Sequence, residues 1–179
     1  MFMPCCYRRT LAICALLACA ALGASPAHAA SRAASGSAHS MSIAHRLADE
    51  MLGLLNADRA RAGRDALTVD GRLAEIATSH SRDMAVRHYF AHTAPGDSSA
   101  FDRFARTGIQ YSDAGENIGR AGGRALAWEV AAINATMMAE PLNGASHHDV
   151  IVDPALRHVG IGISIGPGNM LYVTEDFTD

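Results

Sequence analysis

The stretch that most restricts the fold lies near the C-terminus. His158-Val159-Gly160-Ile161-Gly162-Ile163-Ser164-Ile165 alternates apolar with small residues. The turn Gly166-Pro167-Gly168-Asn169 follows, and then Met170-Leu171-Tyr172-Val173-Thr174-Glu175-Asp176-Phe177. Two strand-like runs around a Gly/Pro turn predict a hairpin. Gly160 and Gly162 share one face of the first strand and leave it bare. That face invites the close approach of a helix.

Three helices are predicted upstream. Leu47, Met51, Leu54 and Leu55 fall on one face of a helix over 43–62, which Gly63 ends. Asn56 and Arg59 lie three apart on it; the pair reads as a helix-face hydrogen bond or a fold-stabilising polar pair before a binding one. Asp70 caps a helix over 71–88 with the stripe Leu73, Ile76, Ala77, His80 and Met84. His80 on that apolar face reads as a satisfied core histidine. The third helix spans 124–139, with Leu126, Val130, Ile133 and Met137 inward. A shorter helix after Ser99 stops at Gly108. The body, residues 43–179, reads as a single α+β domain.

The N-terminus reads as an address. Arg8-Arg9, an apolar run from Leu11 to Leu22 and Ala27-His28-Ala29 have the form of a secretory signal peptide, residues 1–29. The run is too short for a permanent transmembrane helix, which needs roughly 20 residues. Leu16-Leu17-Ala18-Cys19 also permits a lipoprotein anchored through Cys19. Residues 30–42, rich in Ala, Ser and Gly, read as a flexible leader. The expected location is therefore secreted or periplasmic. All four cysteines lie within the first 19 residues, so the body holds neither a disulfide nor a Cys-ligated zinc. Residues 1–29 contain two of the fifteen arginines and none of the eighteen acids, so the remainder carries net charge -5. A mildly acidic body argues against nucleic acid as a partner.

Four residues in the body stand out chemically. His92 sits in a loop over 89–98, between an aromatic pair and a Pro-Gly turn. Glu116 lies in Gly115-Glu116-Asn117-Ile118-Gly119, a short extended piece. Glu140 comes at a helix C-terminus, where the dipole disfavours an acid. His147 follows Ser146 in a capping-box pattern with Asp149, in a first helical turn that favours a neutral ring. His148 reads as exposed.

The chain resembles the CAP superfamily of cysteine-rich secretory proteins, antigen 5 and plant pathogenesis-related proteins, in its bacterial SCP-like branch. The matching text is Leu55-Asn56-Ala57-Asp58-Arg59-Ala60-Arg61-Ala62-Gly63, His80-Ser81-Arg82-Asp83-Met84 and Phe90-Ala91-His92. It continues through Gly115-Glu116-Asn117-Ile118 and Asp153-Pro154 to Val159-Gly160-Ile161-Gly162 and the closing strand. The resemblance covers about residues 45–178. It implies a three-layer α-β-α sandwich with a cleft lined by His92, Glu116, Glu140 and His147. The chain departs from the pattern at Ser146-His147-His148-Asp149, and residues 142–145 add length before it.

Two imidazoles and two carboxylates in one cleft suit a divalent metal such as Zn²⁺, with His92 and His147 as ligands and the acids behind them. The resemblance implies a module that binds a small-molecule, lipid, peptide or glycan ligand more often than an enzyme. The alternative is a metal-dependent hydrolase acting on peptide or cell-wall glycan through the same cleft. If the N-terminal reading holds, mass spectrometry of the exported protein finds Ala30 as its first residue; a diacylglyceryl group on Cys19 would show the lipoprotein form instead.

Overall fold

In the computed structural model, Gly160 and Gly162 lie directly beneath a helix. A Cβ on Gly160 would stand 2.0 Å from the backbone carbon of Leu73, and one on Gly162 would stand 2.1 Å from that of Ala77. The helix can touch the sheet backbone only because both positions lack side chains. The structure describes residues 26–96, 99–122 and 125–179, with side chains from Ile43 onward. Residues 1–25, with the apolar run of the expected signal peptide and Cys19, lie outside what is described.

The elements are α1 (Pro26–Arg61), β1 (Thr68–Val69), α2 (Gly71–Arg87), α3 (Ala100–Arg106), β2 (Ala114–Ala121), α4 (Leu126–Met138), α5 (His147–Ile151), β3 (His158–Ile165) and β4 (Leu171–Thr178). The strands form one sheet in the order β1-β3-β4-β2. β1 runs parallel to β3, and the other two pairs are antiparallel. The predicted hairpin is present as β3 and β4. β1 is new: two residues between Leu67 and the Asp70 cap carry no periodicity that could mark a strand.

The sheet has a helical layer on each face. On one side Leu47, Met51 and Leu55 of α1 join Val130, Ile133 and Met137 of α4 over Val159, Ile161, Val173 and Phe177. On the other side α2 lies on β3, with Leu73 and Ile76 meeting Ala100 and Phe104 of α3. Met84 and Ala85 pack with Ile118 and Tyr172. This is the expected three-layer α-β-α sandwich in a single domain.

Local chemistry sets the helix ends. Asp70 Oδ1 accepts from the N–H groups of Arg72 and Leu73 at 2.7 and 3.3 Å, starting α2. Gly63 adopts φ +69°, and the N–H of Arg64 returns to the carbonyl of Arg59 at 2.8 Å, closing α1. Ser99 and Ser146 both form capping boxes, with Asp102 and Asp149. α1 begins well before residue 43, so the stretch read as a flexible leader has helical backbone here. Its alanines are the best helix formers.

The Asn56 and Arg59 reading needs a correction. They stabilise the fold, but not by pairing with each other. Asn56 closes a two-bond clamp on the backbone of Leu67: its Nδ2 donates to the carbonyl at 3.2 Å, and its Oδ1 accepts the N–H at 2.7 Å. Arg59 is buried, only 1% exposed, and donates to the carbonyls of Asp65, Ile151, Asp153 and Leu156 at 2.7–2.9 Å.

The glycine contact gives a paired test. Gly162→Ala forces α2 off the sheet and lowers stability by about 2 kcal/mol or more. Gly53→Ala, where a Cβ meets nothing within 4 Å, raises it by up to about 1 kcal/mol through helix propensity. Urea midpoints of the two variants check both signs.

Candidate functional site

β4 lies between β3 and β2, and all its residues are buried. Its side chains alternate between the two layers. Tyr172, Thr174 and Asp176 face α2, while Val173, Glu175 and Phe177 face α1 and α4. The β2 register places Glu116 opposite Asp176 and Asn117 opposite Glu175. Two neighbouring residues of β2 therefore begin two polar clusters, one in each layer.

The first cluster holds His92 and Glu116. The loop after α2 brings His92 over the strand, and its Nδ1 donates to Glu116 Oε1 at 2.8 Å. The His92 side chain is 53% exposed and that of Glu116 only 3%. Arg103 of α3 donates from Nη2 to Glu116 Oε2, and from Nη1 to the carbonyl of His92 at 3.1 Å. One guanidinium thus fixes both the carboxylate and the backbone that carries the imidazole. Asp176 lies behind Glu116. Burial, then the Glu116 carboxylate, raise the Asp176 carboxyl well above the usual range, with Arg103 opposing. Burial and Glu116 both favour its neutral form, which lessens the repulsion between two facing carboxyls.

His80 lies nearby, buried, its Nε2 donating to the carbonyl of Ala91 at 3.1 Å. Burial and then Arg103 lower its pKa, which keeps the ring neutral. It is the satisfied core histidine that its place on the helix predicted, and it anchors the loop that presents His92.

The second cluster holds Glu140 and His147. Glu140 Oε1 accepts from His147 Nδ1 at 2.7 Å, and Oε2 accepts the backbone N–H of His147 at 2.9 Å. Those two bonds hold the Glu140 carboxyl below its usual range. Past the end of α4, this acid serves the first turn of α5 rather than its own helix. His148 is half-buried, not exposed, and its Nδ1 donates to the Glu140 carbonyl at 3.0 Å. Asn117 Nδ2 reaches the His147 carbonyl at 3.4 Å and Glu175 Oε2 at 3.2 Å.

The added residues 142–145 form a tight rim. Asp149 Oδ2 accepts the N–H groups of Asn143, Gly144 and Ser146 at 2.9–3.0 Å, and the Ser146 hydroxyl at 2.6 Å. Those donors hold its carboxyl far below the usual range.

All four sequence candidates are therefore placed as two His–Glu pairs, each ring held through Nδ1. Among the described residues no three His, Cys, Asp or Glu side chains gather to hold a metal ion. Arg103, Asp176 and Glu175 were not candidates in the sequence. The adjacent acids inside an otherwise apolar strand were the available signal, since a period of two puts one in each layer.

Solved structures share this architecture. An extracellular protein containing an SCP domain from Bacillus anthracis aligns with TM-score 0.64 and 25% identity, over 78% of this chain and 42% of that one. An outer surface protein of Borrelia burgdorferi aligns with TM-score 0.61 and 12% identity, over 72% and 88%. The NaASP2 structure with Zn²⁺ aligns with TM-score 0.52 and 16% identity, over 73% and 77%. The fold is that of an SCP-type domain. The chain belongs to the CAP, or cysteine-rich secretory protein, family, whose model matches residues 52–177. Among relatives, the uncharacterized protein YkwD of Bacillus subtilis is 36% identical over 109 residues, which is 61% of this chain and 39% of that protein. The uncharacterized membrane protein YlbC of Bacillus subtilis is 28% identical over 72% of this chain and 33% of its own length. The chain thus matches well under half of either relative. Among the described residues no helix is long and apolar enough to cross a membrane.

Glu175 makes the second cluster sensitive to pH. Full burial raises its carboxyl to about 7, only partly offset by the hydrogen bond from Asn117. The unfolded chain loses this proton near 4.5, the folded one near 7. The folded state is therefore favoured most below 4.5, and stability drains away as pH rises from 4.5 to 7. Glu175→Gln keeps the neutral shape. It is expected to stabilise the protein at pH 8 by on the order of 2 kcal/mol relative to wild type, with the gain vanishing below pH 4.5. Thermal melts of both proteins across this range check it.

Proposed function

We propose that the protein is an exported ligand-binding module whose cleft is walled by the His92–Glu116 and Glu140–His147 pairs. The observation that carries this reading is the way both rings are held. Each imidazole is fixed through Nδ1 by its own carboxylate, so Nε2 is the nitrogen left for a ligand. Histidines that meet metals or polar ligands are oriented in this manner. Export is supported by the charged, apolar and small-residue order of residues 1–29.

The donor set fits a divalent cation in part. Two imidazole nitrogens with water and a ligand atom suit a weakly held Zn²⁺. A catalytic zinc centre uses three protein ligands and an open position. The described residues supply no such third group, so the fit favours binding over metal-dependent hydrolysis. His92 and His147 would hold the cation, with Glu116 and Glu140 keeping each ring in the tautomer that leaves Nε2 unprotonated.

Titration calorimetry tests the reading. Zn²⁺ is expected to bind the exported protein, and His92→Ala or His147→Ala to weaken it about tenfold or more. Glu140→Gln should weaken it in the same direction. Equal heats in wild type and both histidine variants would remove the cation from the proposal. Native mass spectrometry of the same material reads any organic ligand retained in the cleft.

A further inference from the structure

β2 is the terminal strand of the sheet. It pairs with β4 along one side only, and among the described residues no backbone hydrogen bond from another element reaches Ala114–Ala121. An edge of this kind offers a donor and an acceptor roughly every 7 Å, the repeat of two strand residues.

Folded proteins usually blunt such an edge with Pro, charged side chains, a bulge or a covering loop. β2 carries no Pro over its 8 residues, and of its two charges Glu116 is held by His92 and Arg103, which leaves Arg120. Its pairing with β4 runs from Ala114↔Thr178 to Ala121↔Leu171 with no residue skipped, so no bulge turns the edge away.

The space beside the edge is open. A hollow of about 220 Å³ lies along the outer half of β2, with Ile118–Ala121 as its floor. One wall is Phe90, from the layer of α2. The other is Ile133, Thr136 and Met137 of α4, and Glu140 and His147 stand at the same hollow. Walls from both layers place it over the strand's edge rather than over either face.

Charge singles out one end. Glu116 is matched by Arg103 and His92, and Glu140 by His147. Arg120, also in the hollow, is exposed, and its guanidinium lies 5.2 Å from the centre of the Phe90 ring. No carboxylate of the described residues pairs with it.

We propose that the free edge of β2 takes an extended peptide as a fifth strand, with a carboxylate of that peptide on Arg120. This rests on the reading of the cleft as a ligand site and narrows the ligand to a peptide. A row of alternating backbone donors and acceptors is complementary to another backbone. An acyl chain laid along the same row would leave those groups unsatisfied, at a cost for each. Phe90 and Ile133 give apolar contact to side chains on either side of the added strand, and Arg120 supplies register.

The experiment uses the exported protein and randomised synthetic libraries of short peptides, one with free and one with amidated C-termini. Bound peptides are identified by mass spectrometry and the tightest is resynthesised with single N-methyl groups. Strand addition predicts an alternating scan: every second N-methyl weakens binding about tenfold or more, and those between change it little. Hydrogen exchange should slow at alternate amides of β2. Arg120→Gln should weaken an acid-bearing peptide about tenfold and leave its amide counterpart unchanged. Retention from the amidated library assigns the carboxylate to a side chain; its loss assigns it to the C-terminus. A flat N-methyl scan, no enriched peptide, or an indifferent Arg120→Gln would overturn the proposal. A concentration-dependent dimer showing the same exchange pattern without peptide would put a second copy on the edge and overturn it too. Zn²⁺ binding that depends on His92 and His147 together with a flat scan would sink strand addition alone and leave the wider cleft reading standing.

Discussion

The guanidinium of Arg59 is the contact on which the arrangement of the site depends. Near the end of α1, it gathers the carbonyls of Asp65, Ile151, Asp153 and Leu156. Ile151 closes α5, and the last carbonyls of a helix have no partner of their own. Only a planar fork with five donors can serve several such groups at once. The positive charge also lies where the dipoles of α1 and α5 end. Burial lowers the Arg59 pKa, with Asp153 opposing, yet an arginine keeps its charge in a protein. Arg59 thereby ties the short α5 to α1, and α5 carries His147. An α-helix of 5 residues could not hold that position by its own hydrogen bonds.

The second constraint is the burial of β4 on both faces. A strand between two neighbours and two helical layers has no surface for a charge, yet this one carries Glu175 and Asp176. Each meets the demand differently. Asp176 is desolvated and faces the Glu116 carboxylate, both of which favour its neutral form, while Arg103, held to Glu116, opposes them. Glu175 has Asn117 alone and is desolvated completely. Asp176 lies behind the His92–Glu116 pair, and Glu175 reaches the His147 backbone through Asn117, so each layer has its own polar support inside an apolar sheet.

Much of the fold was legible in the sequence because its signals are local. Asp70, Ser99 and Ser146 announce helix starts within three residues of themselves. Gly160 and Gly162 announce the helix that covers them. The four residues His92, Glu116, Glu140 and His147 came from the family resemblance; their pairing did not, since nothing local joins His92 to Glu116 or Glu140 to His147. Long-range pairing explains what was not legible. The carbonyl partners of Arg59 around the Asp-Pro turn lie more than 90 residues away, so its neighbour Asn56 looked like its natural partner. β1 is two residues long and exists only because β3 is there to receive it. His148 looked exposed because the carbonyl it meets belongs to a residue beyond the rim loop. Nothing in the sequence singled out Arg103, whose partner Glu116 lies 13 residues on, in a different element.

The Asp149 carboxylate has a further consequence for the cleft. It collects four donors from residues 143–146, so the rim beside His147 is tied by its own hydrogen bonds. Ordering a loose loop on association costs about 0.5–1.5 kcal/mol for each flexible side chain immobilised. A rim fixed beforehand avoids most of that entropy loss. In the proposed binding reading this rim is fixed beforehand, and the conformational toll falls mainly on the incoming molecule.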